Sequence, residues 1–74
     1  MATEVGSTEI AQIGATAGLI WQYLSTHGGV SLTRLAKDID APRDLIMQGV
    51  GWLAREGKVR FEDNGRNRLL SLVD

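Results

Sequence analysis

Chemistry in this chain would have to come from very few side chains. His27 is the one histidine, cysteine is absent, and the nine Asp and Glu residues are scattered rather than paired. Acid–base catalysis needs groups with shifted pKa values facing a common substrate, and nucleophilic catalysis needs an activated Ser, Cys or Lys. Neither arrangement is present in the spacing. No glycine-rich phosphate loop and no zinc-ligand spacing occurs, and one histidine without cysteine makes no metal cage. The expectation is therefore a protein that is not an enzyme and carries no cofactor.

The residues whose types and spacing point to binding are polar and basic. Arg43, Asp44, Met47 and Gln48 follow Pro42 at intervals that expose them at the start of one helix. An arginine there can address guanine and a glutamine adenine. Ser31, Thr33 and Arg34 open the preceding helix, where amide groups and dipole suit a phosphate. Asn64, Arg66, Asn67 and Arg68 form a local basic patch near the C-terminal end. Duplex DNA is the partner these positions suggest. Against it stands a formal charge of −1, since DNA binders usually carry a basic surplus. Asp44 on the same face would repel phosphate. The same side chains also read as an ordinary solvated surface, with arginines keeping an edge strand soluble.

The elements that must position these residues follow from periodicity. Met1 to Ser7 reads as a disordered tail, and residues 8–74 as one domain. Apolar residues at Ile10, Ile13, Ala17, Ile20, Trp21 and Leu24 predict a first helix from about Thr8 to Thr26. Gly14 and Gly18, one turn apart, predict a close crossing by another backbone. His27-Gly28-Gly29 ends this helix. Val30 suits a brief strand. Ser31 caps a second helix with Leu32, Leu35, Ala36 and Ile39 inward, ending by Asp40. Pro42 opens a third helix in which Ile46, Val50 and Leu53 form the buried stripe, flanked by Leu45 and Trp52. Gly49 and Gly51 again suggest close packing against the first helix, and Gly57 is the stop.

From Lys58 the period changes from 3.6 to 2. Val59 and Phe61 on one strand match Leu72 and Leu70 on another, with a four-residue loop from Asn64 to Asn67. A two-residue turn on Asn64-Gly65 would set Phe61 against Arg68 and is rejected. The predicted core holds Ile13, Ala17, Ile20, Trp21, Leu24, Leu32, Leu35, Ile39, Ile46, Val50, Leu53, Val59, Phe61, Leu70 and Leu72. The order helix, short strand, helix, helix, strand, strand is that of a winged helix-turn-helix, an α+β fold that is mostly helical.

Two runs carry a resemblance: Ile13-Gly14-Ala15-Thr16-Ala17-Gly18-Leu19-Ile20-Trp21 and Gly51-Trp52-Leu53-Ala54-Arg55-Glu56. With Val30-Ser31-Leu32 they resemble the small bacterial and archaeal winged helix-turn-helix proteins labelled a domain of unknown function. The resemblance covers Ile13 to Leu72 and implies the fold; it brings no activity or site residue. Ala15 and Leu19 depart from it, being polar more often in the family. It also implies a homodimer as one option.

Two functions from different classes follow. One is a DNA-binding regulator that contacts duplex DNA through the third helix and the wing. The other is a protein-interaction or dimerisation module on the same scaffold, for which Leu19, Tyr23, Leu69 and Val73, off the main apolar faces, would form the interface. No secretory leader or membrane span is read, so a cytoplasmic location is expected.

Overall fold

A computed structural model describes residues 2–65 and 67–73, with side chains for 8–63, 65 and 68–73. Its elements run α1 (Ala2–His27), β1 (Val30–Ser31), α2 (Leu32–Asp38), α3 (Arg43–Arg55), β2 (Val59–Asn64) and β3 (Asn67–Leu72). The three strands form one antiparallel sheet in the order β1-β3-β2.

The helix ends are set by local hydrogen bonds. The Gly28 amide donates to the Leu24 carbonyl at 2.9 Å and closes α1. At α2, Ser31 Oγ accepts from the Arg34 amide at 3.1 Å, satisfying one of the first-turn donors as expected of a serine cap. Pro42 precedes α3 and its carbonyl accepts from Ile46 at 3.0 Å. The end of α3 is a Schellman motif. The Lys58 amide donates to the Leu53 carbonyl and the Gly57 amide to the Ala54 carbonyl, both at 3.0 Å. Gly57 has φ +72°, a conformation only glycine adopts cheaply.

Each helix and the central strand contributes one side chain with no exposed surface: Ile20, Leu35, Ile46 and Leu70. Ala17, Leu24, Ile39, Val50, Leu53 and Val59 complete the core. Residue 49 of α3 lies where α1 crosses, and there the two backbones come close. A Cβ on Gly49 would stand 3.2 Å from the Ala17 amide nitrogen and 2.9 Å from Ile20 Cδ1.

Several expectations are corrected. α1 begins at Ala2 rather than near Thr8, so the backbone of residues 2–7 is helical. The run has no proline and one glycine, and extending an existing helix costs far less than starting one. Of the four helix glycines expected to pack closely, only Gly49 does. Added Cβ atoms at Gly14, Gly18 and Gly51 would meet nothing within 4 Å. Trp21 and Phe61 are exposed rather than core. Ile13 is half-buried and outside the core cluster, while Leu32 and Leu72 pack partly buried against it. Phe61 pairs with Leu70 and Val59 with Leu72 as predicted. Pairing continues to Asn64 and Asn67, however, so two residues rather than four connect the strands.

Candidate nucleic-acid interface

α3 buries Ile46, Gly49, Val50 and Leu53 on one side. At 100° per residue the opposite side carries Asp44, Gln48, Gly51 and Arg55, with Arg43 and Met47 at one margin. Arg43, Asp44, Gln48, Gly51 and Arg55 are all exposed. Sequence reasoning missed Arg55. It lies seven residues after Gln48 and eleven after Asp44, a same-face spacing legible in the sequence but hidden inside a run read as a packing motif. Met47 is half-buried and packs against the core, so its side chain sits at the edge of this face rather than across it. Pro42 and the first turn of α3 direct Arg43 and Asp44 outward, with Asp44 well placed for the helix dipole.

The α2 end is more occupied than expected. Arg34 Nε donates to Asp38 Oδ2 at 2.8 Å, one helical turn on. The Tyr23 hydroxyl donates to the same oxygen at 2.5 Å and ties α1 to α2. Asp38 is held below the usual carboxylate range by the Tyr23 hydroxyl and then by Arg34. The same contact pushes the Tyr23 phenol up, and Arg34 is likewise raised by Asp38. His27 stacks on Tyr23 with ring centroids 4.0 Å apart. Its Nδ1 lies 3.0 Å from the Tyr23 carbonyl, which can only accept, so Nδ1 carries the proton. Ser31 is half-buried and Thr33 exposed.

On the wing, Arg68 Nε stands 3.4 Å from Asp63 Oδ1, and its guanidinium lies 5.9 Å from the Phe61 ring centre. Arg60 pairs with Glu62 at 3.7 Å, and Lys58 with Glu56 at 3.5 Å. The side chains of Asn64, Arg66 and Asn67, three of the four expected wing contacts, lie outside the described residues. Among the described residues, Lys37, Arg43 and Arg55 are the cations with no acidic partner within 4.0 Å. Two of those three sit on the α3 face.

The expected protein interface is only partly assembled. Leu19 and Tyr23 share a groove of about 390 Å³ with Ile39, and Tyr23 shares another, about 400 Å³, with Leu69. Val73 lines neither; its amide donates to the Lys58 carbonyl at 3.0 Å. Among the described residues, no helix is long and apolar enough to cross a membrane, and no group of three His, Asp or Glu could hold a metal.

Three helices around a buried centre, a third helix with one bare face and a hairpin beside it define a winged helix-turn-helix domain. The chain belongs to the family described as "Winged helix-turn-helix domain (DUF2582)", matched over residues 8–72. It is similar to the solution structure of protein BT2368 from Bacteroides thetaiotaomicron, with 32% identity and a TM-score of 0.75, covering 84% of this chain and 76% of that one. A structure described as a possible transcriptional regulator for arsenical resistance is 28% identical, with a TM-score of 0.67 over 82% of this chain and 65% of that one. The ArsR family transcriptional regulator RHA00566 shares the fold at 21% identity, with a TM-score of 0.60 over 90% of this chain and 73% of that one. No curated protein matches the sequence.

Proposed function

We propose that this domain is a cytoplasmic regulatory module that binds duplex DNA, with α3 entering the major groove and the wing following the backbone. The observation that carries the reading is the bare outer face of α3, which carries Gln48 beside Arg55, with Arg43 at its margin, neither arginine having an acidic partner within 4.0 Å among the described residues. Arg43 and Gln48 address base edges, Arg55 reaches phosphate, and Met47 contributes its exposed edge. Ser31, Thr33 and Arg34 face the backbone from α2, Arg34 after leaving Asp38. Asn64, Arg66, Asn67 and Arg68 act on the wing. The similarity to a chain described as a possible transcriptional regulator supports this reading. Two copies would present two α3 helices to one duplex, as half-sites require.

Amide NMR titration of labelled protein with a short duplex at low salt is the test. Shifts confined to residues 31–34, 43–55 and 64–68 that weaken as salt rises are the expected result. No shifts at millimolar duplex would end the DNA reading.

A second reading, a protein-interaction module without DNA, is favoured by the pairing of Arg34, Lys58, Arg60 and Arg68 with acids. On that reading the Leu19–Tyr23 groove takes the partner.

A further inference from the structure

Asp38, at the end of α2, holds two donors at a single oxygen. Oδ2 accepts from Arg34 Nε at 2.8 Å and from the Tyr23 hydroxyl at 2.5 Å. The two contacts differ in permanence. The Arg34 side chain is 65% exposed, and an exposed ion pair between residues four apart on a helix holds weakly. Keeping an arginine in one rotamer also costs more entropy than keeping most side chains. The Tyr23 ring is half-buried and stacked on His27, so its hydroxyl stays where it is.

Direction matters as much as strength. Asp38 lies one turn beyond Arg34, about 6 Å further along the α2 axis. Ser31 and Thr33 lie on the other side of Arg34, at the helix start. The ion pair therefore draws the guanidinium away from the turn that would meet a phosphate.

Taking duplex binding as the function, we infer that Asp38 is an internal competitor of phosphate for Arg34, and that Tyr23 sets how hard it competes. A carboxylate oxygen already bonded to a hydroxyl is a poorer acceptor for a second donor. The lowered proton affinity of Asp38, caused first by Tyr23 and then by Arg34, is the same effect seen by a proton. When Arg34 swings to a phosphate, the Tyr23 hydroxyl remains on Asp38, and the carboxylate keeps a partner. One anion replaces another at the guanidinium, and the tie between α1 and α2 stands throughout.

The consequence is selective. In a loose complex held by charge alone, an arginine already compensated by Asp38 adds little attraction. In a docked complex the phosphates are fixed in register, and one within reach displaces the carboxylate. Asp38 is thus a positioning residue that withholds one cation from duplex that is not in register.

Two readouts test this. In the chain without DNA, NMR of the Arg34 Nε–H group reports the ion pair. Tyr23→Phe should slow its exchange with water, because Asp38 then turns its full acceptor strength on Arg34, and Asp38→Asn should speed it. Faster exchange in Tyr23→Phe would mean that the tyrosine aims Asp38 at Arg34, and overturns the inference whether or not DNA binds. The second readout is fluorescence anisotropy with a labelled duplex. Asp38→Asn should tighten binding roughly two- to fivefold, the reach of an exposed ion pair, and steepen the salt slope by up to about one. Tyr23→Phe should weaken binding roughly twofold. Both effects should vanish when Arg34→Ala is added. An equal gain from Asp38→Asn with and without Arg34 is the effect of charge alone and overturns the inference. Weaker binding by Asp38→Asn also overturns it, making the carboxylate a support for Arg34. Duplex binding that Asp38→Asn and Tyr23→Phe both leave unchanged ends the competition alone, whereas no binding by any of these chains ends the DNA reading with it.

Discussion

Gly49 of α3 and Ala17 of α1 meet at backbone distance: a Cβ on Gly49 would lie 3.2 Å from the Ala17 amide nitrogen and 3.4 Å from its Cα. This single crossing fixes how far α3 stands from α1, and therefore how far its outer face projects from the body of the domain. Gly49→Ala should destabilise by about 1–3 kcal/mol, because a backbone contact cannot rotate out of the way. Gly18→Ala, a substitution of the same type on the facing helix, should stabilise by up to about 1 kcal/mol. Urea denaturation of the two variants would show opposite shifts in midpoint. Equal losses would mean that Gly18 is also pressed by something in the single chain.

The Tyr23–Asp38–Arg34 cluster makes a pH prediction. Asp38 has its folded pKa lowered, so its contribution is present above its ordinary value near 3.8 and is lost as pH falls through the lower folded value. Tyr23 has its folded pKa raised, so its contribution is present below about 10.0 and is lost as pH rises through the higher folded value. Tyr23→Phe should therefore lower the melting temperature most between those limits and least outside them. A loss of equal size at pH 2 and pH 7 would show that the hydroxyl contact is irrelevant.

Ser31→Ala removes the acceptor for the Arg34 amide and should cost about 1 kcal/mol. Because α2 is only seven residues long, amide exchange of residues 34–36 should accelerate more than that of α1. Uniform acceleration would instead point to global loss.

On the α3 face, Asp44→Asn should raise duplex affinity by removing a charge that opposes phosphate. Arg43→Ala should weaken binding by about 1–3 kcal/mol if it reads a base and should relax preference at one position. Arg55→Ala should weaken all sequences alike and reduce the salt slope by about 1. Fluorescence anisotropy across three salt concentrations separates these outcomes. Identical behaviour of Arg43 and Arg55 variants would reduce both to phosphate contacts.

Most of the architecture was legible because it rests on periodicity and punctuation. The register of the hairpin followed from matching Phe61 to Leu70 and Val59 to Leu72, both observed. Where pairing stops did not follow, since Asn64 and Asn67 carry no apolar signal. Trp21 and Phe61 were expected inside because a period marks a stripe without giving its width. A core this small is filled by residues nearest the centre of each stripe, and rings at the margin stay in water. Among the glycines, sequence alone cannot tell a close crossing from an open groove, so Gly49 and Gly18 looked alike. Asp38 and Tyr23 are fifteen positions apart on different helices, and no local pattern joins them. The α3 face was largely readable, apart from Arg55 and the half-buried state of Met47.

β3 lies between β1 and β2 although it follows both in the chain. During synthesis, therefore, neither Val30–Ser31 nor Val59–Asn64 has a neighbour to pair with until residues 67–72 have left the ribosome. Leu70, the strand's fully buried side chain, reaches the centre only then. The helices can gather around Ile20, Leu35 and Ile46 beforehand, but they do so around a gap. The nascent domain is thus an open cup that its last strand both fills and laces shut.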